Sequence, residues 1–214
     1  MNIKKTLPIL TIIVICCGCS SIGSNVAPGY SDAYKLFRNY IYGTEDNIDK
    51  ELIENIPYAS MKLRIGKGPT GLLILEQKLD NVEYWVSSDE VYIVIKNGRV
   101  IETSGLENNL IRTTSHENSL NERRNYTYLN SYDEPKLDSF EVTASLKKLQ
   151  VSETELVVGK RNLQLFEEII INKYTGWKRV NHFWIDSEGF VWKSVQNVSP
   201  KLPPLFIEIT KRPS

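Results

Sequence analysis

From residue 59 to the C-terminus, apolar and polar side chains alternate along the chain, and pairs of turn-forming residues interrupt the alternation at short intervals. Side chains two positions apart lie on the same face of a β-strand, so this period predicts strands with one buried face. Asn97-Gly98 is the clearest turn, because both central residues of a type I′ hairpin need a positive φ. The pattern predicts a mainly β fold, an antiparallel meander forming a barrel-like or sandwich body with a short helical N-terminal part.

The expected elements are unevenly distributed along the chain. Helices are expected at residues 31–43 and 46–55, where apolar residues recur at helical spacing. Residues 107–139 are mainly polar, which predicts a long loop with one strand near residues 126–129. Further strands are expected at residues 140–151, 155–158, 163–171 and 205–210.

Two hairpins allow side chains to be assigned to faces. At the Asn97-Gly98 turn, Lys96 and Arg99 face each other and are both expected to be solvated. In the hairpin of residues 180–195, pairing Ile185 with Phe190 would place Phe183, Ile185, Phe190 and Trp192 on the core face. The opposite face is mixed, and there Trp184 is expected to be partly exposed; it carries His182, Trp184, Val191, Lys193 and Val195.

The N-terminus has the layout of a secretory signal. Lys4 and Lys5 precede an apolar run, residues 7–17, that is too short to span a bilayer. The run ends in Gly18-Cys19, which resembles a bacterial lipobox in which the cysteine is acylated and becomes the first residue. We therefore expect residues 1–18 to be a lipoprotein signal peptide, Cys19 to be the lipid attachment site, residues 19–30 to be a tether and residues 31–214 to form a single domain.

Cysteine content and charge exclude several classes of protein. All three cysteines lie within residues 16–19, so the domain cannot carry a disulfide framework. The chain has 26 basic and 26 acidic residues, and a zero net charge argues against a nucleic-acid partner. Ser20 directly after Cys19 resembles the pattern of lipoproteins that are sorted to the outer membrane. Stable anchoring requires about two membrane signals, which multiple acyl chains on one cysteine would supply.

The sequence contains no recognisable catalytic or metal-binding set. His116 and His182 are the only histidines, and with no cysteine in the domain they form no Cys/His metal site and no thiol nucleophile. No Gly-x-Ser-x-Gly motif occurs. Asp186 and Glu188 lie in a turn, where carboxylates are ordinarily solvated turn formers. We therefore predict no enzymatic activity, no metal and no cofactor other than a covalent lipid on Cys19.

Several segments resemble the YjbF/GfcB family of lipoproteins, which are encoded with group 4 capsule and exopolysaccharide genes. The resemblance is carried by residues 56–66, 85–89, 91–105, 180–184 and 189–200. It implies a mainly β lipoprotein domain on the periplasmic face of the outer membrane that takes part in capsule or exopolysaccharide assembly or export. It also implies the absence of enzymatic activity and partners among co-encoded periplasmic and outer-membrane export proteins.

Three functions remain open from the residues alone: an interaction module of an export complex, a carbohydrate-binding lipoprotein that contacts the polysaccharide, and a polysaccharide-modifying enzyme. The first is favoured, since the chain offers no pair of convergent titratable groups for the third. Side chains that are candidates for contact with a protein partner or a carbohydrate are Trp184, Trp177, Tyr84 and Lys193.

Overall fold

The computed structural model describes residues 48, 50–115 and 125–213, and these form one helix and twelve strands. The helix, α1, is Lys50–Glu54. The strands are β1 (Ser60–Ile65), β2 (Thr70–Leu79), β3 (Val82–Ser87), β4 (Tyr92–Lys96), β5 (Arg99–Ser104), β6 (Leu110–Ser115), β7 (Asn125–Tyr132), β8 (Leu137–Leu156), β9 (Gly159–Ile171), β10 (Lys178–Ile185), β11 (Val191–Gln196) and β12 (Leu205–Lys211).

The twelve strands form one antiparallel sheet in the order β5-β4-β3-β2-β1-β12-β11-β10-β9-β8-β7-β6. Two meanders, β1–β5 and β6–β12, are joined where β1 pairs with β12. The two end strands also approach each other, because the Leu110 backbone N–H of β6 donates to the Thr103 hydroxyl oxygen of β5 at 2.9 Å. The sheet is therefore nearly closed and barrel-like, which confirms the predicted fold class.

The core lies inside the curled sheet. Along β10, Asn181, Phe183 and Ile185 are buried, whereas the residues between them are partly exposed. Trp85 and Phe183 are the largest fully buried side chains of the described residues, and they come from opposite meanders. The alternation seen in the sequence is thus the alternation between the inner and outer faces of the sheet.

The Asn97-Gly98 hairpin has the predicted turn geometry. Asn97 has φ 51° and Gly98 has φ 77°, and Lys96 pairs with Arg99 beside them. The prediction that Arg99 is solvated is wrong, since its side chain is only 17% exposed and forms an ion pair with Glu168 of β9. The Arg99 side chain points into the sheet interior, where it meets a partner that is distant in the sequence.

The region from residue 107 to residue 139 contains more strand than the sequence predicts. β6, β7 and the start of β8 lie here, and residues 140–151 and 155–156 belong to the single long strand β8, while residues 157–158 form the turn after it. The outer faces of these strands are polar, and only a few side chains such as Leu110, Tyr128 and Tyr132 are buried. The sequence here therefore contains too few apolar residues for the alternation typical of strands to be recognised. The predicted loop is therefore wrong in the described residues.

The N-terminal predictions are only partly within the described residues. α1 lies inside the helix predicted for residues 46–55. The helix predicted for residues 31–43, the tether, Cys19 and His116 lie outside the described residues. In the part of the chain that the structure describes, no helix is long and apolar enough to cross a membrane.

Candidate functional site

The turn between β10 and β11 is built around Asp186. Its Oδ1 accepts the backbone N–H groups of Glu188 and Phe190, both at 2.9 Å, and its Oδ2 accepts the Trp192 indole N–H at 2.8 Å. Partial burial alone would raise the pKa of Asp186, but the Trp192, Phe190 and Glu188 hydrogen bonds and the Arg212 charge lower it. Asp186 thus organises the turn as an ionised acceptor and is unsuited to act as a general acid near neutral pH.

The same turn changes the predicted register of the hairpin. Ile185 pairs with Val191 and not with Phe190, and the ladder is irregular between Trp184 and Ile185. Val191 is therefore on the buried side with Phe183, so its assignment to the outer face is wrong. The reason is local, because Asp186 draws Phe190 into the turn and leaves one fewer residue for the ladder.

Trp184 and Lys193 lie opposite each other on the outer face of β10 and β11. The Lys193 Nζ is 5.9 Å from the centroid of the Trp184 ring and 3.9 Å from a Glu208 carboxylate oxygen on β12. The His182 ring lies 5.9 Å from the Trp184 ring, and its Nε2 is 3.8 Å from a Glu167 oxygen. We call these five residues the Trp184 surface. It combines a partly buried aromatic ring with charges of both signs.

Tyr84 and Trp177 lie apart from the Trp184 surface. Tyr84 is on β3, where it pairs with Val94 and is partly exposed. Trp177 is 8% exposed, precedes β10 and packs edge-on against Phe140, with ring centroids 5.9 Å apart. It lines an apolar cleft of about 320 Å³ at the end of the sheet where β7 meets β8. The four candidate contact residues therefore do not form one site.

A buried polar cluster crosses the interior between the two meanders. Arg99 donates from both terminal nitrogens to the two carboxylate oxygens of Glu168, each at 2.9 Å, and Asn181 Nδ2 donates to Glu168 Oε2 at 2.8 Å. The Tyr126 hydroxyl donates to the same carboxylate. Burial favours the neutral form of Arg99, but the Glu168 charge and hydrogen bonds outweigh it and raise the pKa of the guanidinium. The pair ties the β4–β5 hairpin to β9 and β10.

The cluster is extended by uncharged partners. Burial raises the pKa of Tyr128, next to Arg99, to about 12, so this phenol is neutral at physiological pH. Gln196 donates to the Gly98 carbonyl and accepts the Val100 N–H, both at 3.0 Å, which holds the same hairpin to β11. Nothing in the sequence marks these residues as partners, because Val100 and Gln196 are 96 positions apart.

A second cavity, of about 380 Å³, lies at the opposite end of the sheet from the Trp177 cleft. Three turns contribute to it: Asp80-Asn81 between β2 and β3, Asn97-Gly98 between β4 and β5, and Glu188-Gly189 between β10 and β11. We call it the end cavity. The sequence predicts the Asn97-Gly98 turn and the turn that contains Glu188, but not that the two meet here. In the described residues, no group of three or more His, Cys, Asp or Glu side chains is placed to hold a metal ion.

Residues 33–210 match the model of the family described as "Group 4 capsule polysaccharide lipoprotein gfcB, YjbF". The chain belongs to the YjbF family. Among its relatives, the uncharacterized lipoprotein YjbF of Escherichia coli (strain K12) is 23% identical over 167 residues, which cover 74% of this chain and 78% of the relative. The uncharacterized lipoprotein GfcB of the same organism is 30% identical over 80 residues, 37% of each chain.

A solved structure shares the fold of this YjbF-family chain. The crystal structure of the hypothetical lipoprotein YmcC from Escherichia coli (K12) superposes with a TM-score of 0.70 at 20% sequence identity. The superposition covers 90% of this chain and 100% of that one. The family resemblance predicted from the sequence is therefore confirmed, together with the mainly β fold that it implied.

Proposed function

We propose that this YjbF-family protein is a non-enzymatic outer-membrane lipoprotein that takes part in capsule or exopolysaccharide assembly or export through protein contacts. Its domain faces the periplasm, and a lipid on Cys19 anchors it. The family description supports the link to capsule polysaccharide. The observation that carries the contact role is the Trp184 surface, where a partly exposed indole lies beside Lys193 on the outside of the sheet.

Several properties of the Trp184 surface suit it to a protein partner. Trp and Arg are enriched among the residues that dominate binding energy, and aromatic anchors lose little conformational entropy on binding. The Lys193 and Glu208 side chains are 36% and 14% exposed, so charges of both signs border the ring. Such a mixture sets the orientation of a partner through charge complementarity. The proposed partners are co-encoded periplasmic and outer-membrane export proteins.

The lipid anchor gives the first prediction. Metabolic labelling with radioactive palmitate is expected to be lost in Cys19→Ala and retained in Cys17→Ala, because Gly18 precedes Cys19 whereas Cys16 precedes Cys17. Fractionation of the labelled cells then tests for the outer membrane. Unchanged labelling of Cys19→Ala would exclude Cys19 as the acylation site, and recovery of the label in the inner membrane would contradict the proposed location.

The contact role gives the second prediction. Trp184→Ala is expected to weaken capture of a co-encoded export protein about 30-fold and to reduce surface polysaccharide, because loss of a central anchor costs about 2 kcal/mol. Tyr174→Ala is the matched control, since Tyr174 is an aromatic residue with 86% exposure that lies outside the surface. Capture is measured by affinity purification after crosslinking in cells, at equal protein levels.

A second variant separates contact from folding. Lys193→Gln removes the cation over Trp184 but keeps the indole and places no second carboxylate beside Glu208, so it is expected to reduce capture with little change in the melting temperature. If Trp184→Ala and Lys193→Gln both retain full capture and full polysaccharide export, the Trp184 surface is not the contact. Loss of export in His182→Ala with normal capture and stability would instead point to chemistry at this site.

A further inference from the structure

The end cavity has a mainly apolar floor inside the sheet. Buried side chains from β4, β10, β11 and β12 form it, and its volume of about 380 Å³ falls in the range of about 300–1,000 Å³ that is usual for small-molecule sites. The floor residues are Ile95, Ile185, Trp192, Ser194, Ile207 and Ile209. Ends of barrel-like sheets are frequent ligand sites, because the loops there border a preformed hollow.

The rim of the end cavity is polar and exposed. It brings together ammonium, guanidinium, amide and carboxylate groups from three turns and the end of β12, namely Lys78, Asp80, Asn81, Asn97, Glu188 and Arg212. The Asn81 and Asn97 side chains hydrogen-bond to each other at 3.1 Å, which joins two of the turns. The rim therefore presents hydrogen-bond donors and acceptors on fixed, short elements.

On one side of the cavity, a guanidinium group, a carboxylate and two aromatic rings are in contact. The Arg212 guanidinium lies 4.5 Å from the Phe190 ring centroid and is held by a 2.6 Å ion pair with Glu188. The Phe190 ring packs edge-on against Trp192, with centroids 5.0 Å apart. A planar cation, a carboxylate and an aromatic edge are thus positioned together at the opening.

Glu83 supplies an acceptor inside the cavity, below the rim. Its Oε2 accepts the indole N–H of the fully buried Trp85 at 3.2 Å, and its side chain lines the cavity. Burial raises the pKa of Glu83, against smaller effects of the Trp85 hydrogen bond and the Lys78 charge that lower it. Loss of hydration on this carboxylate favours a ligand that brings hydroxyl donors to it.

The charges that line the cavity balance. Lys78, Lys193 and Arg212 are opposed by Asp80, Glu83 and Glu188, so an anionic or cationic ligand gains no net attraction. A sugar hydroxyl both donates and accepts, and therefore suits a rim that offers carboxylates, amides and cations together. The C–H face of a pyranose ring suits the aromatic and aliphatic side chains beneath.

We propose that the end cavity binds a short segment of a neutral, hydroxyl-rich saccharide. The end cavity shares Lys193 with the Trp184 surface but does not include Trp184, and saccharide binding by the purified protein does not require the protein contact proposed above. Its relevance to export rests on that proposed function. Together the two sites would let one lipoprotein hold a glycan segment while contacting an export partner.

Binding is tested on the mature lipoprotein purified in detergent. The probes are neutral oligosaccharides from partial acid hydrolysis of the producing strain's surface polysaccharide, with uronic-acid oligosaccharides of matched length for comparison. Saturation-transfer NMR and isothermal titration calorimetry are expected to detect binding of a neutral fragment in the millimolar range or tighter. Preference for uronic-acid fragments, or no binding of any neutral fragment at millimolar concentration, would overturn the proposal.

Two variants locate the binding. Glu83→Gln and Arg212→Ala are each expected to weaken binding about tenfold, the effect of losing one hydrogen bond to a charged group. The matched controls are Glu153→Gln and Arg179→Ala, which change exposed residues that do not line the cavity. Wild-type affinity in both Glu83→Gln and Arg212→Ala would overturn the assignment to the end cavity.

Folding and the proposed function are separated by the same set of variants. Glu83→Gln is expected to melt at or above the wild-type temperature at pH 7, because a carboxyl whose folded pKa is raised loses stability as the pH rises through that pKa. Trp184→Ala is expected to keep full saccharide binding. Lost capture with normal saccharide binding in Trp184→Ala supports the proposed protein contact. Lost saccharide binding with normal capture in Glu83→Gln supports the proposed saccharide site, so each proposal can fail without the other.

Discussion

Replacing Glu168 by alanine is expected to destabilise the protein by about 3–5 kcal/mol, the usual cost of removing one partner of a buried ion pair. Glu168 is fully buried, and its carboxylate receives two hydrogen bonds from Arg99 and one from Asn181. Without it, the Arg99 guanidinium is an uncompensated charge inside the sheet, and the Tyr126 hydroxyl loses an acceptor. Unfolding in urea, followed by tryptophan fluorescence, measures the change.

Two comparisons define the origin of this effect. In Arg99→Met/Glu168→Leu both charges are removed and apolar volume is kept, so most of the lost stability is expected to return. Lys160→Ala breaks an exposed ion pair, in which the Lys160 and Glu153 side chains are 62% and 60% exposed. This change is expected to lower the free energy of unfolding by less than about 1 kcal/mol. A loss below about 1 kcal/mol in Glu168→Ala would mean that water reaches Arg99 and that the cluster does not hold the hairpin.

The same residues show what sequence reasoning reaches and what it does not. The Asn97-Gly98 turn is predictable because its positive φ angles are a local requirement that these two residues meet at low cost. The partner of Arg99 lies 69 positions along the chain, and only the curl of the sheet brings it near. A charged residue beside a tight turn is ordinarily solvated, and this local rule fails for Arg99 because its side chain points into the sheet interior.

The predicted faces of the β10–β11 hairpin are only partly correct. Alternation correctly places Trp184 and Lys193 on one face of the hairpin, but their direct pairing across β10 and β11 follows from the irregular ladder and not from the predicted register, which pairs Trp184 with Val191. Val191 was assigned to the wrong face because the Asp186 hydrogen bonds shift the register beyond the turn. The end cavity joins turns that are separated by other strands in sequence, and a linear pattern contains no information on which ends of a sheet converge.

Replacing Gly98 by valine is expected to destabilise the protein strongly, through both backbone strain and a steric clash. Gly98 has φ 77°, a conformation that costs a residue with a side chain about 1–3 kcal/mol and more when that side chain is β-branched. A Cβ at this position would also lie 2.2 Å from Val191 Cγ2 and 2.6 Å from Val191 Cβ. Overpacking of this kind adds about 1–3 kcal/mol.

A matched glycine separates the two contributions. Gly176 has φ 70°, close to that of Gly98, but a Cβ there would meet nothing within 4 Å. Gly176→Val therefore reports mainly backbone strain, and the difference between the two variants reports mainly the contact with Val191. Urea unfolding of both, with soluble yield as a second readout, is expected to rank Gly98→Val well below Gly176→Val. Equal losses would show that the hairpin tip moves away from β11 at little cost, which would also open the end cavity at Asn97-Gly98.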